Sequence, residues 1–213
     1  MYLCGMPRPE LSCHGARPDM ELFALLSVGA GVNADADLED VRHAVRASAG
    51  DARAYSWLVM CHQGPVYRYL VRLVRVPETA RELTQDTFLR AFQAIPTWRP
   101  EARFRTWLFR IAHNLALDHL RRAKHVRLEP LEAGADVPDP APGPERRLET
   151  AQRMRRLEQA LAALAPAHRE VLLLREIEEM SYEDIARALD LNLGTVRSRI
   201  ARARAALLAV LRT

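Results

Sequence analysis

The chain has 213 residues, of which 49% are hydrophobic and 27% are charged, and its formal net charge is +4. This length allows one large or two small domains, and the apolar content is sufficient for packed cores, which excludes a wholly disordered protein. No apolar run approaches the roughly 18 residues of a membrane span, and the N-terminus lacks the basic start and long apolar core of a secretory signal. We therefore expect a cytoplasmic protein with no membrane insertion.

The charge is unevenly distributed along the chain. Residues 49–125 carry 13 basic and 6 acidic groups and residues 148–213 carry 11 and 9, whereas residues 1–48 and 126–147 are net acidic. Two basic regions separated by an acidic connector suit a polyanion that is contacted at two places. Because Lys124 is the only lysine among 31 basic residues, the position of an arginine is stronger evidence than its identity.

Apolar residues recur at helical spacing through the first half of the chain, and no segment alternates in the manner of a β-strand. The pattern predicts helices over residues 62–75, 79–95 and about 103–122. On the second of these helices we expect an inward face formed by Ala80, Leu83, Phe88, Ala91 and Phe92.

The segment PLEAGADVPDPAPGP (130–144) holds five prolines and two glycines without apolar periodicity, which predicts a linker. Amphipathic helices are predicted after it, over residues 149–164 and 169–177, and a helix pair closes the chain. The fold class is therefore all-α: two small helical domains joined by a proline-rich acidic linker, with a helix-turn-helix at the C-terminus. The predicted divisions are an N-terminal extension of unknown role (1–48), a first domain (49–125), the linker (126–147) and a second domain (148–213).

The closing segment, SYEDIARALDLNLGTVRSRIARARAALL (181–208), has the pattern of two helices joined by a tight turn. Ser181 and Asp184 form a capping-box pattern at the first helix, and Asn192 is a suitable N-cap for the second, where it can accept the N–H of Thr195. A buried stripe is predicted on the second helix, formed by Val196, Ile200, Ala203 and Leu207.

Hydroxyl and guanidinium groups are predicted on the outer face of that second helix. Such groups read base edges in the major groove and bind phosphates. An arginine-rich surface helix in an ordinary bundle is the alternative interpretation. The residues that we predict to contact duplex DNA are Thr195, Arg197, Ser198, Arg199 and Arg202.

A polar cluster begins the second predicted helix of the first domain. The segment ELTQDTF exposes Glu82, Gln85 and Asp86 beside an apolar face. This arrangement indicates a docking surface, and a solvated helix face is the alternative interpretation.

Aromatic side chains are interleaved with arginines just before and within the third predicted helix. Rings stack on unpaired bases and cations follow the phosphate backbone, so Trp98 among its arginines favours single-stranded DNA; for Phe104 and Trp107, core packing is an equal alternative. Asn114 begins a polar ridge that fits contact with a base edge, and a salt bridge from Asp118 is the alternative there. The candidate residues are Arg99, Arg103, Trp107, Asn114, Asp118, Arg121 and Arg122.

Three segments occur in a recognisable order: ELTQDTFLRAF, FRTWLFRIAHNLALDHLRR and LREIEEMSYEDIARALDLNLGTVRSRIARARAAL. Together they resemble bacterial sigma factors of the extracytoplasmic-function (ECF) group, within the sigma-70 superfamily. The resemblance covers about residues 52–125 and 150–210. It implies a promoter-specific transcription initiation factor that acts on a stress- or signal-responsive set of genes.

The resemblance also implies a partner for each candidate surface. Glu82, Gln85 and Asp86 would bind the β′ clamp helices of the RNA polymerase core, and the β flap would be a second contact on the polymerase. The loop at 96–104 and the polar ridge would capture the promoter −10 element as a single strand, and the helix beginning at Leu193 would read the −35 element as duplex. The acidic linker would pass towards the active-site channel, and an anti-sigma factor is a further candidate partner.

The chain departs from the family pattern at several places. The family usually has glycine at the position of Asp190 and another glycine near Glu179, and aspartate tolerates the left-handed conformation better than most residues. His113 stands where arginine is common, which affects one expected DNA contact. The segment AYSWLVMCHQ (54–63) is more apolar than expected, and residues 1–48 have no counterpart in the two-domain pattern.

Two other classes of protein are weighed against this interpretation. A regulator with a C-terminal helix-turn-helix of the LuxR kind would share the last motif and lack ELTQDTF and FRTWLFRIAHN. An enzyme is disfavoured because the sequence has no glycine-rich phosphate loop and no clustered nucleophile and base. Cys4, Cys13 and Cys61 form no CxxC pair and match no zinc spacing. We predict no catalytic residues, no cofactor and no metal site.

Overall fold

The computed structural model describes residues 34–101, 103–125 and 144–212. All regular secondary structure in these residues is helical, which confirms the all-α prediction. None of the helices described is long and apolar enough to cross a membrane. The predicted linker as far as residue 143 lies outside the described residues, as do residues 1–33 with Cys4 and Cys13.

Eight α-helices make up the described structure, and two short turns of other helical types separate some of them. A 3₁₀ turn (Ile95–Thr97) follows the third α-helix and a π turn (Leu173–Ile177) follows the sixth. The α-helices in chain order are α1 (Ala34–Ser48), α2 (Ala52–Val74), α3 (Pro77–Ala94), α4 (Phe104–His125), α5 (Pro144–Ala163), α6 (Pro166–Leu172), α7 (Tyr182–Leu189) and α8 (Leu193–Leu211).

Local chemistry sets the starts of several helices. The Asp51 carboxylate accepts the N–H groups of Arg53 and Ala54 at 2.9 and 3.1 Å, which caps α2. Pro77 and Pro166 occupy the first turns of α3 and α6. Proline is tolerated there because the N–H groups of a first turn have no hydrogen-bond partner within the helix.

The predicted helices are present, with shifted bounds. Helix α2 begins at Ala52 rather than at residue 62 and continues through Pro65. Helix α5 begins at Pro144, inside the segment predicted as linker. The predicted helix over 169–177 is a short α-helix that passes into the π turn, where Glu178 N–H bonds the carbonyl of Leu173 at 3.1 Å.

Helix α1 lies within the predicted N-terminal extension and packs against α2. Ala44 is fully buried there, and Asp40 Oδ1 lies 2.8 Å from His62 Nε2 in a buried pair. His43 stacks on Trp57 with 4.0 Å between ring centroids. These contacts make α1 an integral part of the first group of helices.

The described residues form two groups of helices, α1–α4 and α5–α8, that contact each other. Large buried side chains of α2 and α4, including Tyr69 and Phe109, fill the first group, and α6 packs on α8 in the second. The apolar core is continuous from one group to the other. Helix α7 lies against α4, so the first helix of the predicted helix-turn-helix contacts the helix predicted to bind the −10 element.

Candidate nucleic-acid interface

The helix pair α7–α8 has the capping geometry that its sequence predicts. Asn192 Oδ1 accepts the N–H of Thr195 at 2.7 Å, and Asp184 N–H donates to Ser181 Oγ at 3.0 Å. Asp190 ends α7 in the left-handed conformation, with φ at 53°. The turn is therefore kept without a glycine, because aspartate tolerates this conformation.

Helix α8 buries one stripe and exposes the opposite face. Arg197 and Arg202 are exposed and, among the described residues, have no hydrogen-bond or ion-pair partner. Thr195 and Ser198 are half-buried beside them. The inward stripe matches the prediction and consists of Val196, Ile200, Ala203 and Leu207.

The outward orientation predicted for Arg199 does not hold. Its side chain is 30% exposed, and Nη1 lies 3.2 Å from Oε1 of Glu170 on α6. Arg204 is also paired, with 2.6 Å between its Nη2 and Glu176 Oε1. Residue 199 lies at the edge of the outer face, where α6 runs alongside α8. Two of the four arginines on this helix are therefore held by carboxylates of neighbouring elements.

The polar ridge of α4 is on the surface as predicted. Asn114, Arg121 and Arg122 are exposed, and Asp118 is half-buried. Arg121 Nη1 lies 3.6 Å from Asp118 Oδ1, so the structure contains the salt bridge that is the alternative interpretation of this pair. A surface pair of this kind is worth about 0–1 kcal/mol, which leaves Arg121 free to exchange its partner for a phosphate.

The loop before α4 departs from its prediction. Trp98 is 5% exposed, and its ring lies edge-on to that of Phe104 with 6.1 Å between ring centroids. The ring therefore packs in the core and cannot stack on a base. Trp107 is half-buried and tilted against the same phenylalanine at 5.5 Å. Arg99 is exposed and donates to the carbonyl of Trp98 at 3.1 Å. Helical periodicity does not reveal that Trp98, which lies outside a helix, completes the core.

Arg103 is the one predicted −10 residue whose guanidinium is held between two other helices. Its Nε lies 3.3 Å from Asp37 of α1, and its Nη1 lies 3.3 Å from Asp184 of α7. One turn farther along, Thr106 Oγ1 donates to Asp184 Oδ1 at 3.0 Å. The N-terminal end of α4 is thus covered by α7, whereas its C-terminal ridge is open.

The predicted polymerase-binding residues lie on an open face of α3. Glu82, Gln85 and Asp86 are all exposed. The same face carries Leu89 and Phe92, which are 57% and 53% exposed, so the inward orientation predicted for Phe92 is wrong. The spacing of residues 82, 85, 89 and 92 already places them along one helical stripe, which is the signal that could have found the two apolar residues.

A buried polar group links α2, α4 and α6. The Tyr69 hydroxyl lies 3.2 Å from His113 Nδ1, and Glu170 Oε2 lies 3.8 Å from the same nitrogen. Burial, with the charges of Arg121 and Arg199, lowers the pKa of His113 to about 4. Burial raises the pKa of Glu170 to about 7, against the opposing effect of Arg199. His113 is therefore neutral at pH 7 and lies inside the fold rather than on a DNA-contacting surface.

No group of three or more His, Cys, Asp or Glu side chains within the described ranges is arranged to hold a metal ion. Three surfaces carry most of the predicted contacts within the described residues: the helix face with Arg197 and Arg202, the polar ridge of α4, and the mixed polar and apolar stripe of α3.

Two family models match the chain. One described as Sigma-70 region 2 matches residues 58–126, and one described as Sigma-70, region 4 matches residues 154–207. Over 177 residues the chain is 36% identical to the RNA polymerase sigma-H factor of Pseudomonas aeruginosa, which covers 79% of this chain and 92% of that protein. The chain belongs to the ECF sigma factors. It is also 41% identical over 165 residues to the ECF RNA polymerase sigma factor SigE of Mycolicibacterium smegmatis, covering 76% of this chain and 64% of that relative.

A solved structure extends the comparison to the fold. The chain is similar to CnrH in its complex with the cytosolic domain of CnrY, with a TM-score of 0.61 and 31% identity over 82% of this chain and 97% of that one. Membership of the ECF sigma factors places this protein among the promoter-specific transcription initiation factors, which act with RNA polymerase core and promoter DNA. The region 2 match covers most of α2 with α3 and α4, and the region 4 match covers most of α5–α8.

Proposed function

We propose that this ECF sigma factor binds RNA polymerase core and grips a promoter at two points, with α4 at the −10 element and α8 at the −35 element. The observation that carries the proposal is the outer face of α8, where Arg197 and Arg202 are exposed beside two hydroxyl side chains. In this division, residues 49–125 are sigma factor domain 2 and residues 148–213 are sigma factor domain 4, and α1 packs on domain 2.

The proposed polymerase contact is the stripe on α3. Glu82, Gln85 and Asp86 supply polar and acidic groups, and Leu89 and Phe92 supply apolar area beside them. Exposed apolar groups within a polar surface are typical of protein interfaces, where a small apolar centre carries most of the binding energy. We assign this stripe to the β′ clamp helices of the core enzyme. The β flap would be a second contact on the polymerase.

The proposed DNA contacts divide into single-strand and duplex sets. Arg99, Arg103, Trp107 and the ridge of α4 would hold the −10 element as a single strand, since cations follow the backbone and a partly exposed ring can stack on a base. The face of α8 would read the −35 duplex through the major groove. The single-strand set consists of Arg99, Arg103, Trp107, Asn114, Asp118, Arg121 and Arg122. The duplex set consists of Thr195, Arg197, Ser198, Arg199 and Arg202.

We further propose an anti-sigma factor as a regulatory partner. CnrH, which is similar to this chain over most of its length, is seen bound to the cytosolic domain of CnrY. The protein would act in the cytoplasm, where polymerase core and promoter DNA are found, and would supply no catalytic group of its own. Its regulon would be one that responds to stress or to another signal.

Binding to core and run-off transcription test this function together. We expect the wild-type chain to bind purified core and to direct initiation from a subset of genomic fragments. The double variant Gln85→Ala/Asp86→Ala should lose core binding and transcription while keeping its helical circular dichroism. Gln63→Ala, at an exposed glutamine on α2, is the control and should behave as wild type.

The same assay separates a sigma factor from a DNA-binding regulator. A sigma factor should protect a promoter well only together with core, whereas a regulator would protect it alone. Failure of the wild-type chain to bind core, or specific promoter protection without core, would overturn the proposal.

A further inference from the structure

Helix α1 buries one face in the first group of helices and leaves a second apolar face uncovered. Asp40, Ala44 and Ala47 point inward and are buried. Leu38 and Val45 lie on the opposite side of the helix and are 63% and 50% exposed. They are two helical turns apart, so both belong to one stripe along the surface.

Two further residues complete this stripe. Val41 is half-buried at its edge and packs against the core, and Arg42 lies beside Leu38 with its side chain 73% exposed. Leu38, Val41 and Arg42 also line a shallow pocket together with Glu39. We call Leu38, Val41, Arg42 and Val45 the outer stripe of α1. A helix that is apolar on two faces normally packs against a neighbour on each of them.

The chain immediately before α1 offers an occupant for the outer stripe. Residues 22–28, LFALLSV, are apolar at six of seven positions and contain no charge, proline or glycine. The segment is bounded by helix signals, because Asp19 is a suitable N-cap and Gly29 a suitable C-terminal stop. The sequence therefore predicts a helix over residues 20–28. Its most apolar face carries Leu22, Leu25 and Leu26.

The connection to α1 suits an antiparallel pair of helices. Residues 29–33, GAGVN, separate the predicted helix from Ala34, where α1 begins. Antiparallel helices are commonly joined by loops of about 2–5 residues. Gly29 and Gly31 permit the left-handed conformations that such a reversal requires, and Asn33 is a suitable N-cap for α1.

The register of this pair places the apolar groups together. Counted outward from the loop at equal rise, residues 22–28 lie level with residues 34–40, and so beside Leu38. Helical side chains lean towards the N-terminus of their own helix, so Leu22 and Val45 lean towards each other in an antiparallel pair. The contact is therefore expected to be closest at Leu38 and weaker at Val45.

The small area of the outer stripe favours a tethered segment over a separate molecule. A stable dimer buries about 800 Å² on each partner, and two exposed apolar side chains supply far less. A segment joined to α1 by a short loop is held at a high effective concentration and loses little entropy on docking. A contact too small to hold a second copy can therefore hold residues 20–28.

We propose that residues 20–28 form a helix that packs antiparallel on the outer stripe of α1. The N-terminal extension then contributes a further helix to the first group of helices, and Leu38 is covered by a segment of its own chain. The contact involves neither the outer face of α8 nor the stripe on α3, so it is independent of the proposed function.

A substitution on each side of the contact tests the proposal in the full chain. Leu38→Ser removes the apolar group at the centre of the outer stripe, and Leu22→Ser/Leu26→Ser removes two from the segment. Met60→Ser is the matched control, because Met60 is 68% exposed on α2 and the replacement is also an exposed helical apolar residue by serine. Circular dichroism checks that each variant is folded.

Hydrogen exchange followed by mass spectrometry measures docking directly. In the wild-type chain we expect the amides of residues 20–28 to exchange several-fold more slowly than in a free peptide of the same sequence. Leu38→Ser should return them towards the peptide rate and Val45→Ser should do so partly, whereas Met60→Ser should leave them unchanged. The amides of α4 should keep their wild-type protection in all these variants.

Urea denaturation gives a second measurement. Leu38→Ser and Leu22→Ser/Leu26→Ser should each lower the midpoint, and their combination should lower it by less than the sum of the two, because both remove the same contact. Additive effects would contradict the proposal.

Three other outcomes would also overturn it. One is exchange of residues 20–28 at the peptide rate in the wild-type chain, and another is equal acceleration by Leu38→Ser and Met60→Ser. The third is a dimer, detected by light scattering, that Leu38→Ser dissociates, since a second copy would then occupy the outer stripe. If Leu38→Ser does not fold, Val45→Ser decides. None of these measurements uses polymerase or DNA, so failure of the proposed function would leave them unaffected.

Discussion

The two proposed DNA-reading helices differ in how much of their basic face is available. On α8, Arg197 and Arg202 are exposed and unpaired among the described residues. At the start of α4, Arg103 is held between Asp37 and Asp184, although its side chain is 47% exposed. The difference comes from the neighbours: α1 and α7 pack beside the start of α4, whereas none of the helices described covers the outer face of α8. Because all but one of the basic residues are arginines, residue type does not distinguish the proposed DNA contacts from the others. The helices packed beside an arginine determine whether its guanidinium is accessible.

The largest expected effect is on the open face of α8. Arg197→Ala/Arg202→Ala should weaken binding to the −35 duplex by about two orders of magnitude, because each specific arginine contact is worth about 1–3 kcal/mol. Binding to core polymerase should be unchanged. Electrophoretic mobility shift with holoenzyme, together with core pull-down, measures both quantities.

The control for that double variant removes the same charge elsewhere. Arg155→Ala/Arg156→Ala changes two exposed arginines of α5 and should have a much smaller effect on duplex affinity. Arg199→Ala should lie between the two, because Glu170 already holds this guanidinium. Equal losses from all these substitutions would show that net charge, and not the face of α8, determines binding.

Sequence patterns predicted the helix pair closely because its determinants are local. The caps at Asn192 and Ser181 and the buried stripe of α8 depend on residues within one or two turns of each other. Contacts between distant segments could not be predicted in this way. The pair of Arg105 and Glu178 joins residues 73 positions apart, and nothing in either segment alone indicates it.

Exposure of apolar groups was the second kind of information missing from the sequence. Phe92 fits an amphipathic stripe, and periodicity alone assigns it to the core; the structure leaves it on the surface beside Leu89. Trp98 shows the reverse error, since its neighbouring arginines suggested a role at the surface and its ring is buried. A hydrophobic pattern identifies a face that is to be covered, but not whether the same chain covers it.

The second prediction concerns the buried pair between α4 and α6. Between pH 4.5 and 6.5 the folded chain keeps His113 deprotonated while the unfolded chain protonates it, so this group makes stability rise with pH. Glu170 has the opposite effect, because the folded chain holds a proton that the unfolded chain has lost, and its contribution falls as pH rises to about 7. The two contributions largely cancel in the wild-type chain.

Glu170→Gln should therefore expose the contribution of His113. We expect the free energy of unfolding of this variant to rise by about 2–3 kcal/mol from pH 4.5 to 6.5, with a much flatter profile for wild type over the same range. Urea denaturation at several pH values measures it. Glu178, whose pKa is also raised by burial, is present in both chains and does not alter the comparison. Parallel pH profiles for the two chains would show that His113 and Glu170 are not the titrating groups.

The smallest expected effect concerns the turn that aims Glu178 at α4. Glu179 has φ at 49°, a backbone conformation that is unfavourable for residues other than glycine, asparagine and aspartate. Glu179→Gly should stabilise the fold by about 1 kcal/mol, which corresponds to about 2–4 °C in the melting temperature. Asp190→Gly, at φ 53°, should gain less, because aspartate already tolerates this region. If Glu179→Gly instead lowers the melting temperature, the Glu179 side chain contributes more than its backbone strain costs, and the turn is held by contacts rather than by conformational preference.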